Sequence, residues 1–354
     1  MDLVDPFHHQ AAACDALGSP MYAELLGRVA GALDSGGANA APFAAVLQGH
    51  EDDPGPSGLA LRLAGSVHRL VLERRAGLLG TYYPSVGGCW EPEGGWAAFR
   101  SLVVEQPDAV REWLDRPPQT NEVGRSAALM AGLLAITRAT PLPIRLVEIG
   151  SSGGLNLLTD RFSFSDDSGR VHGDECSSVQ LVGAWAGPGP WTDPRTPWPT
   201  VIERVGSDVR PVDVATTDGR LTLTAYVWPD MTARHERLRG ALQIAAGSPV
   251  TVRRQSARQV VESLEPTPGT ITVLWHSVMW QYLDDAEQHA VLAGLDVLGA
   301  GTGEEAPIAH LSLEPRRRTP GEDRAFWLTV RRWPGGETRF LAESRPHGMP
   351  VDWR

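Results

Sequence analysis

The sequence predicts an α/β fold: a mostly parallel sheet with an antiparallel C-terminal edge, joined to an all-helical N-terminal domain. Apolar residues recur at helical spacing from about residue 19 to residue 137. From Pro141 onward, short apolar runs alternate with amphipathic stretches, which is typical of a parallel sheet with helices on both faces. The last two runs are separated only by Pro-Gly-Gly-Glu, which predicts a hairpin. We therefore predict a helical domain over residues 1–118 and a sheet domain over residues 119–354.

In the helical domain, Ser19 and Pro20 offer an N-cap followed by proline at the first helical position. A second helix is predicted around residues 63–71, and a third over residues 121–137 with Thr120 as its cap. Residues 52–58 and 82–88 are predicted to be loops, because proline and glycine cluster there.

The sheet domain is predicted from apolar runs that end at glycine or proline, with helices over residues 232–246 and 284–298 between some of them. The predicted strands are residues 144–149, 201–205, 221–227, 250–252, 271–274, 308–313, 325–333 and 338–344. Residues 183–199 are rich in proline, glycine and tryptophan, so we expect a long loop or lid there.

Composition excludes several classes of function. The net charge of -11 opposes binding to a phosphate backbone, and all 32 basic residues are arginine, which excludes a pyridoxal Schiff base and a P-loop lysine. Three widely spaced cysteines predict neither a disulfide framework nor a cysteine metal site. No secretory signal is visible and no apolar run approaches the ~18 residues of a membrane span, so we expect a cytoplasmic protein. The acidic net charge and the tryptophan-rich insertion favour a small organic substrate over nucleic acid.

The sequence Glu-Ile-Gly-Ser-Ser-Gly-Gly, residues 148–154, follows the first predicted strand, where a doubly wound sheet binds ligands. It fails the dinucleotide pattern GxGxxG, because Ser152 and Leu155 occupy the required glycine positions. It resembles motif I of the class I methyltransferases that depend on S-adenosylmethionine (SAM), E/DxGxGxG. Glu148, Gly150 and Gly154 match that motif, and Ser152 replaces its middle glycine.

This resemblance implies a Rossmann-like domain that binds SAM as cofactor, and it assigns roles to later residues. Asp208, after the second strand, would bind the ribose hydroxyls, which requires an insertion over about residues 161–200. Ser256 would lie near the adenine. His276, at the end of another strand, is the leading candidate for a catalytic base, and Asp230 is the second catalytic candidate. An arginine at Gly154 is expected to abolish SAM binding without unfolding the protein.

Two alternatives remain open on the same residues. Gly150-Ser151-Ser152-Gly153-Gly154 also fits the GxSxG elbow of α/β-hydrolases, with Ser152 as nucleophile and Asp230 and His347 as partners. The turn can equally serve a nucleotide-type fold that binds a partner without catalysis.

Over nearly its whole length the chain also resembles a mostly actinobacterial family, domain of unknown function 2332, which carries no established reaction. The segments that carry this resemblance are SPMYAELL (19–26), GSVHRLVL (65–72), YYPSVGG (82–88), QTNEVGRS (119–126), EIGSSGGLNLLTDRF (148–162), AYVWPD (225–230) and HSVMWQYL (276–283). The polar start of the 121–137 helix is expected to meet the cofactor turn and to line a substrate cleft. The predicted substrate contacts are Asn121, Glu122, Arg125, Tyr83 and Tyr282.

Overall fold

The computed structural model describes residues 3–51, 53 and 58–354. The loop predicted over residues 52–58 lies outside the described residues, apart from Asp53 and Gly58. Contacts divide the chain into two units, one formed by residues 1–120 and 215–235 and the other by residues 121–214 and 236–354.

The helices begin where capping chemistry allows. The hydroxyl of Ser19 accepts a hydrogen bond from the Tyr22 amide, and Pro20 is the first helical residue, as predicted. The described helices are α1 (Val4–Ala16), α2 (Pro20–Ser35), α3 (Gly37–Leu47), α4 (Leu59–Leu72), α5 (Pro92–Glu105), α6 (Pro107–Arg111), α7 (Ser126–Ala139), α8 (Thr217–Ala225), α9 (Thr232–Gly247), α10 (Ala257–Glu262) and α11 (Asp285–Ala300). Shorter 3-10 helices include Val123–Arg125, Leu155–Arg161 and Trp280–Tyr282.

Residues 221–227 do not form the predicted strand. They lie mainly in α8, which belongs to the helical unit rather than to the sheet. The Thr216 hydroxyl caps this helix by accepting from the Gly219 amide, and Asp218 lies in its first turn. The alternating Leu-Thr-Leu-Thr favours a strand, but the helix-starting residues just before it determine the local structure.

The described strands form one mixed, mostly parallel sheet of eleven strands. They are β1 (Ile144–Ile149), β2 (Ser163–Asp166), β3 (Val171–Gly173), β4 (Gln180–Ala186), β5 (Val201–Asp208), β6 (Thr251–Arg254), β7 (Ile271–Ser277), β8 (Ile308–Arg316), β9 (Ala325–Trp333), β10 (Thr338–Ser344) and β11 (Val351–Trp353). Their order across the sheet is β3-β2-β4-β11-β10-β9-β8-β7-β1-β5-β6.

The antiparallel C-terminal strands do not form an edge of the sheet, so that prediction is wrong. β8, β9, β10 and β11 pair antiparallel in sequence, but β11 then pairs in parallel with β4. β4 comes from the predicted insertion, so the inserted strands extend the sheet past the C-terminal strand β11. A strand edge left open by β11 is covered in this way, which protects it from pairing with other chains.

Residues 183–199 are likewise not one long loop. Their first part completes β4, and Trp185 and Trp191 are buried with stacked rings 4.8 Å apart. The Trp185 indole donates to the Ala127 carbonyl of α7 at 2.9 Å. Two aromatic side chains and one buried hydrogen bond thus anchor the segment to the sheet unit.

Helices cover both faces of the sheet. On one face, α7 approaches β8 so closely that a methyl group on Gly132 would lie 2.6 Å from the Leu311 side chain. On the other face, Val291 and Leu295 of α11 share a core cluster with Leu274 and Ile308. Because neighbouring residues of a strand point to opposite faces, this arrangement determines which side chains at a strand end share a site.

Candidate functional site

The candidate site lies where the parallel strands β5, β1 and β7 end side by side. Glu148 of β1 is level with Gly206 of β5 and with Trp275 of β7. The glycine turn after β1 follows directly. Since carboxyl ends of parallel strands meet at one edge of a sheet, polar side chains from three chain segments converge here.

The turn after β1 has an unusual backbone conformation that hydrogen bonds from neighbouring segments stabilise. Gly150 and Gly154 have φ of 67° and 73°, and Ser152, which carries a side chain, has φ of 53°. The Ser152 amide donates to the Asp208 carboxylate at 2.9 Å, and the Leu155 amide donates to the Asn121 side chain at 3.0 Å. These two bonds fix the turn, so it does not depend on a ligand for its shape.

The two matching glycines have different surroundings. A methyl group on Gly150 would lie 3.0 Å from the Met279 side chain, although Gly150 itself is exposed. A methyl group on Gly154 would lie within 2.9 Å of both Val250 and Val252. Gly150 therefore faces a flexible side chain at the surface, whereas Gly154 is required by packing.

Glu148 is the least ordinary group at these strand ends. It is 3 % exposed, and burial raises the pKa of its carboxyl from 4.5 to about 8. The neighbouring Trp275 indole and Asn156 amide oppose this pKa shift, as does the charge of Arg125. Within the described part of the chain, Glu148 Oε2 and Trp275 Nε1 are buried without a hydrogen-bond partner of normal geometry. A buried polar atom without a partner is costly, so these two atoms at the strand ends are available to a ligand group of complementary polarity.

Asp208 ends β5 beside the turn. One carboxylate oxygen accepts from the Ser152 amide and the other from the Arg210 amide, at 2.9 and 2.8 Å. The acid therefore couples the ends of β1 and β5. Each carboxylate oxygen can accept a second hydrogen bond, so these contacts leave Asp208 able to bind hydroxyl groups.

The segment before α7 meets the same edge. The prediction that Thr120 caps a helix starting at Asn121 is wrong. A 3-10 turn begins at Val123 instead, and the Glu122 carboxylate accepts from the Gly124 amide. Asn121 binds the turn after β1, as described above. Arg125 donates to the carbonyls of Ser277 and Pro346 at 3.3 Å each. Arg125 thus joins this segment to the end of β7.

His276 lies at the end of β7 on the face opposite to Glu148. It is fully buried, with Nδ1 2.8 Å from the Glu314 carboxylate and Nε2 2.9 Å from Nε2 of His310. The Trp280 ring stacks on it at 5.0 Å. With both ring nitrogens engaged, His276 cannot touch a substrate in this structure, and it exchanges protons through its two partners, His310 and Glu314.

Residues 4–353 match the model of a family described as an uncharacterized protein conserved in bacteria (DUF2332). The chain belongs to this family. No curated protein and no solved structure matches it.

The described residues bear on two further features, a metal site and a membrane-spanning helix. Over residues 3–51, 53 and 58–354, no group of three or more His, Cys, Asp or Glu side chains is arranged to hold a metal ion. Among the helices of those residues, none is long and apolar enough to span a lipid bilayer.

Three other predicted site residues differ in their surroundings and in their exposure. The Ser256 hydroxyl caps α10 in a reciprocal bond pair with Gln259. Tyr83 is fully buried in the helical unit, with its ring 5.5 Å from that of His68. Tyr282 is 51 % exposed after β7. Of the three, Tyr282 is exposed, Ser256 is half-buried with its hydroxyl used in capping, and Tyr83 is buried.

Asp230 belongs to the helical unit, where its carboxylate accepts from the Ser19 hydroxyl at 2.6 Å and from the Met21 amide at 3.0 Å. It therefore caps α2, and the hydrolase alternative loses the acid that the sequence suggested for it. Asp230→Ala is expected to lower the free energy of unfolding by about 1–3 kcal/mol, because an amide and a hydroxyl lose a charged acceptor.

The measurement is urea unfolding together with hydrogen exchange of the α2 amides, which should lose protection first. Asp34→Ala, an exposed acid in the same helix, is the matched control and should change stability by less than about 0.5 kcal/mol. Equal effects of the two substitutions would refute the capping role.

Sequence reasoning missed His310, Trp275 and Asn156. His310, Ser312 and Glu314 occupy alternate positions of β8, so their side chains share one face. Polar residues at a spacing of two inside a buried strand were the available signal.

Proposed function

We propose that this protein binds SAM at the ends of β1, β5 and β7 and transfers its methyl group to a small organic molecule. The proposal rests on strand order. The adjacent parallel strands run β6-β5-β1-β7-β8, which in order of appearance is 3-2-1-4-5, the order of doubly wound nucleotide-binding sheets. Ligands of such sheets bind where the order reverses, which here is between β1 and β7.

The residues at that point suit a cationic nucleoside. A sulfonium or ammonium group near Glu148 would favour the ionised carboxyl and offset its burial. Asp208 has lone pairs left for ribose hydroxyls. SAM, when bound, supplies an electrophilic methyl group. The protein's own contribution would be to orient the acceptor and exclude water.

Met279 must move for a ligand to approach Gly150, because its side chain lies over that residue. Methionine has three rotatable side-chain bonds and adapts readily. The net charge of -11 favours a small organic acceptor over nucleic acid.

The decisive experiment is calorimetric titration of the purified protein with SAM and with its demethylated product, S-adenosylhomocysteine, supported by melting curves. We expect binding that raises the melting temperature, because a ligand of the folded state stabilises it. Glu148→Gln should weaken SAM binding about tenfold or more, because one charged contact is lost. The exposed-site control Glu304→Gln should bind like the wild type.

Absence of binding by both compounds would refute the proposal. Labelling of Ser152 by a fluorophosphonate would then support the hydrolase alternative. A protein that neither binds SAM nor reacts with the probe would instead be a non-catalytic binding module.

A further inference from the structure

A cavity of about 440 Å³ lies within the sheet unit, on the face covered by α11. No residue of the turn after β1 is among those that line it. Its lining includes Trp280, Leu292, His310, Arg316, Thr329 and Arg331. The walls thus combine apolar surface with two cations and a histidine, a pattern typical of small-molecule sites.

The two arginines are not equivalent. Arg331 forms an ion pair with Asp296 at 2.5 Å and donates to the Gly336 carbonyl. Arg316 donates to the neutral Ser312 hydroxyl at 3.2 Å, and within the described residues no carboxylate lies within ion-pair distance of it. Burial lowers the pKa of Arg316, and the charge of Glu314 opposes that shift. The Arg316 guanidinium therefore faces the cavity without a direct ion pair, which favours an anion there.

The histidine is held in one tautomer by its neighbours. Glu314 Oε1 accepts from the amides of Met279 and Trp280 and lies against His276 Nδ1, so this ring nitrogen carries the proton. In the neutral form of His276 its Nε2 is an acceptor, so His310 Nε2 is the donor between the two rings. The remaining nitrogen, His310 Nδ1, is left with a lone pair.

That lone pair has no partner in the described chain, although His310 is only 7 % exposed. Burial lowers the pKa of His310 well below its usual value, and the charges of Arg316 and Arg331 act in the same direction, as a protonated His276 would. Glu314 and Asp296 balance part of this positive charge at the cavity. A neutral His310 needs a hydrogen-bond donor from the ligand, not a second anion.

We propose that this cavity binds a small hydroxycarboxylate, whose carboxylate pairs with Arg316 and whose hydroxyl donates to His310 Nδ1. One guanidinium without an ion pair, beside the carboxylates of Glu314 and Asp296, suits a monovalent carboxylate better than a divalent phosphate. Trp280 and Leu292 supply apolar surface for the carbon skeleton. The proposal is independent of SAM, because it uses none of the residues assigned to the cofactor.

The test uses glycolate as probe, acetate as the same anion without the hydroxyl, and ethylene glycol as the hydroxyl without the charge. Inorganic phosphate is the divalent comparison. Binding is followed through the imidazole ¹⁵N signals of the labelled, full-length protein and by calorimetry. We expect millimolar binding of glycolate with a shift of the His310 signal, about fivefold to tenfold weaker binding of acetate and phosphate, and none of ethylene glycol.

Arg316→Gln should weaken glycolate binding about tenfold or more, whereas the neighbouring, exposed Arg317→Gln should leave it unchanged. If Arg316→Gln does not fold, Leu292→Trp provides the second test, because it fills the cavity from the partly exposed α11 surface. Unchanged glycolate binding in the folded cavity variant, or no response of His310 to glycolate, would overturn the proposal. Acetate binding as tight as glycolate would overturn the role of His310.

Discussion

Replacing Glu148 with glutamine is expected to stabilise the protein at pH 8 and to leave its stability at pH 4.5 nearly unchanged. Glutamine copies the neutral form of the carboxyl but cannot ionise. The wild-type carboxyl is buried, and its pKa is raised from 4.5 to about 8. The substitution therefore removes a loss of folding stability at high pH, which arises because the carboxyl ionises more readily in the unfolded chain than in the folded protein.

The sign follows from proton binding. Below pH 4.5 the carboxyl is protonated in both the folded and unfolded states, so its contribution to stability is fully present. Between pH 4.5 and about 8 the unfolded chain has lost this proton while the folded protein retains it, so stability falls as pH rises. The slope is at most about 1.4 kcal/mol per pH unit, and the total is a few kcal/mol.

The measurement is the free energy of unfolding of both proteins from pH 4.5 to pH 8. Other groups titrate there, but they are common to both proteins and cancel in the difference. The difference should grow with pH in favour of Glu148→Gln, and Glu304→Gln, at an exposed position, should show no such trend. A difference independent of pH would mean that Glu148 is not held neutral by the fold.

Local pattern was enough to predict many elements. β1, β9 and β10 have the predicted bounds, because glycine, proline or a polar turn flanks each of them. The hairpin between β9 and β10 is confirmed. The N-terminus of α2 is also correct, since serine and proline at its start act within one turn. These features are decided by neighbours in sequence.

The errors concern relations across long stretches of chain. Pairing of β4 with β11 joins residues more than a hundred positions apart, so no local pattern predicts that the insertion extends the sheet. His276 stood out at a strand end, but its neighbour His310 is set by the register of β7 and β8. Burial of His276 follows from the same pairing, and this changes its chemistry from a direct base to an inner member of a hydrogen-bonded chain.

The motif glycines show the same limit. The resemblance to a methyltransferase motif treated Gly150 and Gly154 alike, as places where a cofactor approaches. In the structure, only Gly150 is exposed, and Gly154 is buried against β6. The same residue type is thus required at one position by access and at the other by packing, which the sequence cannot distinguish.

Substitution of Gly154 is therefore expected to unfold the protein rather than to remove a ligand selectively. Its φ of 73° is costly for residues with a side chain, and a methyl group would lie 2.8 Å from Val252 and 2.9 Å from Val250. Gly154→Ala should lower the free energy of unfolding by about 2–4 kcal/mol. Gly154→Arg should not fold stably, contrary to the expectation from sequence.

The control is Gly303→Ala, because nothing lies within 4 Å of the added methyl group there and the change should be below about 0.5 kcal/mol. Denaturant unfolding of the single variants and of Gly154→Ala with Val252→Ala separates the two causes. The second substitution removes part of the steric contact but not the backbone strain, so it should recover part of the loss caused by Gly154→Ala when each is compared with Val252→Ala alone. A folded Gly154→Arg protein with wild-type stability would show that this position is open, and the assignment of Gly154 to packing would then be wrong.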